Sequence, residues 1–300
     1  MRLLLLTLLL FSCAKHNHPG DPASSDKFAL VAEKQKLYCE EGRKLLNERT
    51  FMDDQCDSLL FTALYLTACS VTDFTLDAWH EGGKWYRNPK KDCYPAHSAS
   101  SLSKDMSLGL MTYWLKFGKL DDVKDFIAFG EAHTWDMCGG DAQDNTTLVS
   151  RCVLSPALIV LLKDIKKKLS GEPVSLTNLE LLSFTDHLEV LRILLTGQVY
   201  GGITDGQKAS LKSQAESQPH NALFVGAYEK YAGWDHATDL LLATDHFPAD
   251  HMANNHDNHC TSYLYSRDET SIDWAPCPSE ELRTYDGTDF VFAAHTILEN

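Results

Sequence analysis

From about residue 26 onward the apolar side chains return every three or four positions, the repeat of a helix with one buried face. No alternation of apolar and polar residues runs long enough to argue a sheet. The spacing predicts helices at roughly 27–48, 57–70, 103–118, 121–136, 155–169, 176–196, 206–217, 220–232, 234–245 and 286–299. Polar punctuation agrees with several of these limits. Asp57 and Ser58 precede Leu59-Leu60-Phe61, Gly118 closes one helix before Asp121 and Asp122 open the next, and Ser155 and Pro156 stand as N-cap and first-turn proline. The expected fold class is all-α, a set of antiparallel helical hairpins, with room for short hairpin strands inside the long loops.

Hairpin pairing has a geometric consequence. If 103–118 and 121–136 fold back across the turn at 118–120, residues equally far from that turn come level. Asp105 then faces the stretch holding Glu131, His133, Trp135 and Asp136. The loops 71–102, 137–154 and 197–205 gather at this end, while the short turns 118–120 and 170–175 close the other. Ligand-handling residues concentrate on loops held by a rigid frame, so the long-loop rim is the expected working face.

That rim carries the candidate chemistry. The segment from Trp79 to Arg87 runs on through Cys93 and His97 to Ser103-Lys104-Asp105, bringing Trp79, Trp85, Arg87, His80 and His97 into one polar connection. Ser103 is placed as N-cap, and Asp105 sits in a first turn, where the helix dipole favours a negative charge. Glycoside hydrolysis needs one carboxyl group kept protonated and one ionised, flanking the scissile bond. The best pair by hairpin geometry is Asp105 with Glu131 or Asp136. Glu131 follows Ala128-Phe129-Gly130 on the more apolar side of its helix, so desolvation is expected to raise its pKa, as an acid requires. Trp85 and Trp135 would stack on a sugar ring, with Arg87 or His97 binding its hydroxyls or a carboxylate. A lyase would instead want His97 or His133 as a neutral base and Arg87 to stabilise an enolate-like charge. The same residues also have a plain structural reading: acidic first turns cap helices, and Trp135 with Glu131 makes a core edge beside a solvated acid.

The N-terminus sets the address. Arg2 is followed by an apolar run from Leu3 to Phe11, too short for a permanent bilayer span, so residues 1–12 read as a secretory signal. Leu10-Phe11-Ser12-Cys13 resembles the lipobox of bacterial lipoproteins, departing from it at Phe11. The resemblance implies diacylglycerol and palmitate on Cys13 and a partner membrane outside the cytoplasm. With Ala14 next in line, the outer membrane is favoured. Residues 13–26 read as a lipidated tether and 27–300 as one helical domain. Of the chain's nine cysteines, Cys13 is taken by lipid, and the even remainder in an exported protein reads as disulfides. Locality suggests Cys138 with Cys152 and Cys260 with Cys277, leaving Cys39, Cys56, Cys69 and Cys93 open.

Paired helices with polar, aromatic loops at one end of an exported lipoprotein look like the (α/α) toroid or six-hairpin enzymes that act on polysaccharides. The similarity covers most of the mature chain at the level of pattern, and the predicted helices are fewer than a full toroid holds, so an incomplete array is expected. It implies a glycoside hydrolase or polysaccharide lyase of the cell envelope that cleaves or binds a glycan. The competing reading is a non-catalytic envelope or surface lipoprotein that binds a partner through the same rim.

Charge narrows the partners. With 27 basic and 42 acidic residues the formal net charge is −15, and no basic run offers the counterion release that drives nucleic-acid binding. The one basic cluster, Lys163 to Lys168, interleaves with Leu161, Leu162, Ile165 and Leu169 and reads as the solvated face of a helix. No cofactor is called for. No cysteine spacing is C-x-x-C, and the His-rich stretch from Asp245 to His259 lacks the i, i+4 pair of a helical zinc site, so it reads as a polar loop and no metal is assigned. Asp186-His187 is expected to be a buried histidine bonded to a neighbouring helix, because no nucleophile elbow accompanies it.

Overall fold

The run Ser58–Ala68 is apolar on every side, and in the folded chain every one of its residues is buried. A helix apolar all round must be wrapped by others, and this one, α2, is the axis of the core. The computed structural model describes residues 22–52, 58–91, 93, 102–139, 152–176, 186–219, 221–233, 236–242, 253–255, 260–261, 272–273 and 288–299. Among these, α2 is preceded by α1 (Pro22–Arg49) and followed by α3 (Lys104–Phe117), α4 (Leu120–Ala132), α5 (Pro156–Leu169), α6 (Asp186–Tyr200), α7 (Asp205–Ser217), α8 (Ala222–Ala232), α9 (His236–Leu242) and α10 (Thr288–Leu298). The all-α class therefore stands. Among the described residues strands are confined to a hairpin of two-residue strands, β1 (His80–Glu81) with β2 (Lys84–Trp85), and a small antiparallel sheet in the order β4 (Cys260–Thr261), β3 (Ala253–Asn255), β5 (Ile272–Asp273).

Two layers close on α2. α3 lies along it at short range because Gly109 has no side chain; a Cβ there would come within 2.9 Å of Leu60 Cδ1 and 3.3 Å of the Leu60 backbone. On its other side α2 meets α10, which α1 and α8 then cover. α8 carries α7 and α9, α6 packs on α3, and α5 packs on α4. The aromatic chain Trp85, Trp114, Phe126 ties the β1–β2 hairpin to α3 and α4, with ring centroids 5.5 and 5.1 Å apart.

Local signals set most helix ends. Ser155 accepts the Leu158 N–H ahead of Pro156, Thr204 and Gln207 form a capping box on α7, and Asn221 caps α8 through Phe224 N–H. Gly118 ends α3 in the left-handed region at φ 66°, as its place before Asp121 predicts. Ser103 is the N-cap residue of α3 but makes no side-chain cap hydrogen bond.

α4 departs from expectation. It ends at Ala132, not at 136, because Thr134 and Trp135 take left-handed φ values of 53° and 66° and turn the chain back on itself. Trp135 N–H then reaches the Gly130 carbonyl at 2.6 Å, and Asp136 forms an antiparallel bridge with Val153.

Disulfides brace the helices at two described places, Cys39–Cys69 between α1 and the end of α2, and Cys138–Cys152 beyond α4. The second is the local pair expected, while Cys39–Cys69 spans 30 residues. Cys93 is also disulfide-bonded. The expected Cys260–Cys277 pair, the signal at 1–12 and Cys13 lie outside the described residues and side chains. The helix expected from 27 begins at Pro22, inside the stretch read as tether. Among the described residues no helix is long and apolar enough to cross a membrane.

Candidate functional site

Asp105 sits in the first turn of α3 as expected, yet it is 5 % exposed. Its Oδ1 accepts the Met106 N–H at 3.0 Å, and Oδ2 lies 3.7 Å from Nε2 of His187 on α6, itself 5 % exposed. The histidine is thus buried against a neighbouring helix, as Asp186-His187 predicted. The carboxylate partner is Asp105, the residue that hairpin geometry had aimed at α4.

Glu131 belongs to a different neighbourhood. It is exposed, and its Oε1 lies 2.8 Å from Nζ of Lys163 on α5. The Lys163 hydrogen bond, with the lysine's charge behind it, holds the Glu131 pKa below the ordinary carboxylate value. This reverses the expectation of a raised pKa: Ala128 is exposed and Gly130 carries no side chain, so the solvent-facing side of α4 does not desolvate Glu131. Glu131 stays ionised at neutral pH and holds no proton to give to a leaving group.

Asp136 is spent on structure. Its Oδ1 accepts the Cys138 N–H at 3.0 Å while its backbone bridges Val153. A carboxylate oxygen of Asp136 and the sulfurs of Cys138 and Cys152 lie within 4.8 Å of one another, a spacing a cation could use only with free thiolates. The disulfide between the two cysteines removes that chemistry.

The aromatic and basic candidates separate in the same way. Trp85 is 2 % exposed, stacked by His80 at 4.9 Å and wedged against Trp114, so it presents no face to a sugar. The β1–β2 turn explains its burial: Gly82 and Gly83 both have positive φ, and Gly83 lies where a Cβ would meet the Asp125 carbonyl at 2.9 Å, pressing the hairpin onto α4. Arg87 is 6 % exposed, and its carbonyl accepts both Leu59 N–H and Ser58 Oγ, closing the N-terminus of α2. His97 lies outside the described residues.

What the chain does bring together is Glu131, Trp135 and Lys163. Trp135 is half-buried, one side of its indole resting on Gly130, where a Cβ would come within 2.5 Å of Cε3. Lys163 Nζ stands 5.2 Å from the ring centroid on the solvent side. Beside Glu131 and Lys163 a cleft of about 290 Å³ lies between α4 and α5, lined by Ile127, Glu131, Lys163, Lys166, Lys167 and Glu172. Lys167 is held by Asp164 at 2.6 Å, so the cleft presents one engaged acid–lysine pair at each side. The lysines were read as a merely solvated face; their i, i+3, i+4 spacing on α5 is the signal that they form one row. The lining holds one apolar side chain, Ile127, among lysines and glutamates, and Trp135 stands beside its Lys163 end. No protein family's model matches the sequence, no curated protein is similar to it, and no solved structure matches its fold.

Proposed function

We propose that this chain is an exported lipoprotein, tethered through lipid on Cys13 to the outer membrane, whose helical body binds a glycan without cleaving it. The binding place is the cleft between α4 and α5. The observation that carries the reading is the convergence of Trp135, Lys163 and Glu131: a half-buried indole over which the Lys163 ammonium lies, where a sugar's C–H face would take the lysine's place, and a Lys–Glu pair for its hydroxyls. An exposed ion pair of this kind holds only weakly against water, so a ligand displaces it at little cost. Binding is favoured over hydrolysis because Asp105 and Glu131 are engaged by partners on different helices, and Glu131 is held ionised where a general acid must hold a proton. The disulfides Cys39–Cys69 and Cys138–Cys152 support an oxidising compartment, and with it export.

The test is co-sedimentation of the mature chain with insoluble peptidoglycan, chitin and cellulose, read together with release of reducing ends. The expected result is saturable binding to at least one of them without turnover. Trp135→Ala should weaken it roughly tenfold, about 1.4 kcal/mol, and Asp105→Asn should leave it unchanged. Glycan release that disappears in Glu131→Gln would restore the hydrolase reading, and absence of binding to every polymer would end the glycan reading altogether. Tethering is checked separately: labelled palmitate should be incorporated by the full chain and not by Cys13→Ser.

A further inference from the structure

α1 lies at the edge of the helical body and turns one side inward. Val31, Tyr38 and Leu46 are buried on that side, with Tyr38 set edge-on against Phe290 of α10. The flanks of the helix are fastened. Arg43 makes two bonds of 2.9 and 2.8 Å to Asp73, Lys27 pairs with Asp239 at 2.8 Å, Lys34 Nζ donates to the Leu241 and Leu242 carbonyls, and the Cys39–Cys69 disulfide holds the middle. The outer side is therefore fixed toward solvent. It carries Leu30 and Leu37, 50 % and 57 % exposed, two of the three large apolar side chains that stand exposed among the described residues. Seven residues make about two helical turns, so the two leucines lie on a single line along the helix. That line is acidic. Glu33, Glu40, Glu41 and Glu48 are exposed on the same side against only Lys36 and Lys44, and Lys44 is already held by Glu41 at 2.5 Å.

We infer that the outer face of α1 docks a cationic amphipathic helix of a partner protein, its apolar residues on Leu30 and Leu37 and its Lys or Arg side chains on the flanking glutamates. Charge selects the occupant. A second copy of this chain would bring the same acidic line and a net charge of −15 against its own kind. A basic helix meets no such repulsion, and it answers the excess of carboxylates while its apolar stripe takes both leucines out of water. The geometry suits a helix in particular, because helices pack along lines whose apolar residues recur every three or four positions, and two leucines seven apart offer two successive contacts on one such line. The fastened flanks mean that α1 need not reorder to receive it, which lowers the entropy cost of docking. The plain alternative is that the leucines are exposed singly and the acids are a solvated face; it predicts that any polycation binds by net charge alone, with no part played by Leu30 or Leu37.

The experiment is fluorescence anisotropy of a labelled peptide of about 18 residues, roughly five turns, built from leucine and lysine with the leucines at helical spacing, titrated with the mature chain at about 150 mM salt. A scrambled peptide of the same composition and a leucine–glutamate peptide are run beside it. The amphipathic leucine–lysine peptide is expected to bind saturably and about tenfold tighter than either control. Leu30→Gln with Leu37→Gln, two exposed positions whose replacement should leave the melting temperature as it is, should weaken it about tenfold, and Glu33→Gln with Glu40→Gln should weaken it and flatten its salt dependence. No saturable binding, equal binding of the scrambled peptide, or an affinity that ignores either pair of substitutions overturns the inference. Sedimentation equilibrium of the chain alone should show a monomer; a dimer that disappears in the double leucine variant would give the face to a second copy and overturn the inference as well.

Discussion

Trp135 is held in the left-handed region at φ 66°, directly after Thr134 at φ 53°, and a bulky residue adopts that conformation only when its surroundings hold it there. The hold comes from Gly130 beneath the indole and from the Asp136–Val153 bridge with its adjacent disulfide. Gly130→Ala places a methyl within 2.5 Å of Cε3, so the ring must lift from its seat. The variant should lose about 1–3 kcal/mol, read as a lower urea midpoint, and its tryptophan emission should move toward the solvent-exposed position; an unchanged midpoint and spectrum would show that the seat does not matter. His295 supports a second residue-scale prediction. Burial pushes its pKa down to about 4, while Lys116 and Lys230 outweigh part of the help from Glu299. The unfolded chain takes up a proton near pH 6.5 and the folded chain does not until about pH 4, so stability falls as pH drops through that window. The loss should reach roughly 2–3 kcal/mol, and the slope between pH 6.5 and 4.5 should be smaller in His295→Gln; equal slopes would place the acid sensitivity elsewhere.

At the scale of elements, what was legible in the sequence is what is decided locally. Gly118, the Ser155–Pro156 start of α5 and the apolar run of α2 act within a few residues of themselves, and each element lies close to where it was expected. The end of α4 was not legible, because helical spacing continues through Trp135 while the reversal is enforced by Val153 and Cys152, residues far along the chain. For the same reason Trp85 could not be assigned: an aromatic residue in a polar loop has the same spelling whether it meets a sugar or, as here, Trp114. The Asp105–His187 contact and the Cys39–Cys69 bridge join separate helices and leave no mark in either stretch alone. That bridge fastens the start of the loop after α2 to the middle of α1, so its removal frees α1 from the core. A closed loop of this size contributes about 3–4 kcal/mol, and Cys39→Ser with Cys69→Ser should lower the unfolding free energy by that much, read as a lower urea midpoint, with faster proteolysis inside α1. If only the midpoint moves and α1 stays protected, its packing on α9 and α10 is sufficient to hold it.

On the scale of the whole molecule, two electrostatic effects oppose each other, and their sizes decide how the protein responds to salt. A net charge of −15 makes the compact state repel itself at distances up to the Debye length, about 30 Å at 10 mM salt and about 8 Å at 150 mM. Salt relieves that repulsion. Against it stand exposed pairs such as Arg43–Asp73, Lys44–Glu41 and Lys124–Asp121, which salt weakens. Exposed pairs of this kind add little and often nothing measurable, whereas the long-range repulsion acts on every acidic residue at once. The melting temperature should therefore rise, by a few degrees, as sodium chloride goes from 10 to 300 mM. Glycan binding should respond differently. Two of the three lysines lining the α4–α5 cleft, Lys163 and Lys167, are paired with Glu131 and Asp164, and a neutral sugar engages the cleft through contact and hydrogen bonding rather than through net charge. The dissociation constant for a neutral polymer should stay within about twofold across the same range. A melting temperature that falls with salt would mean that the local pairs dominate, and a glycan dissociation constant that shifts by more than about twofold would mean that net charge takes part in binding.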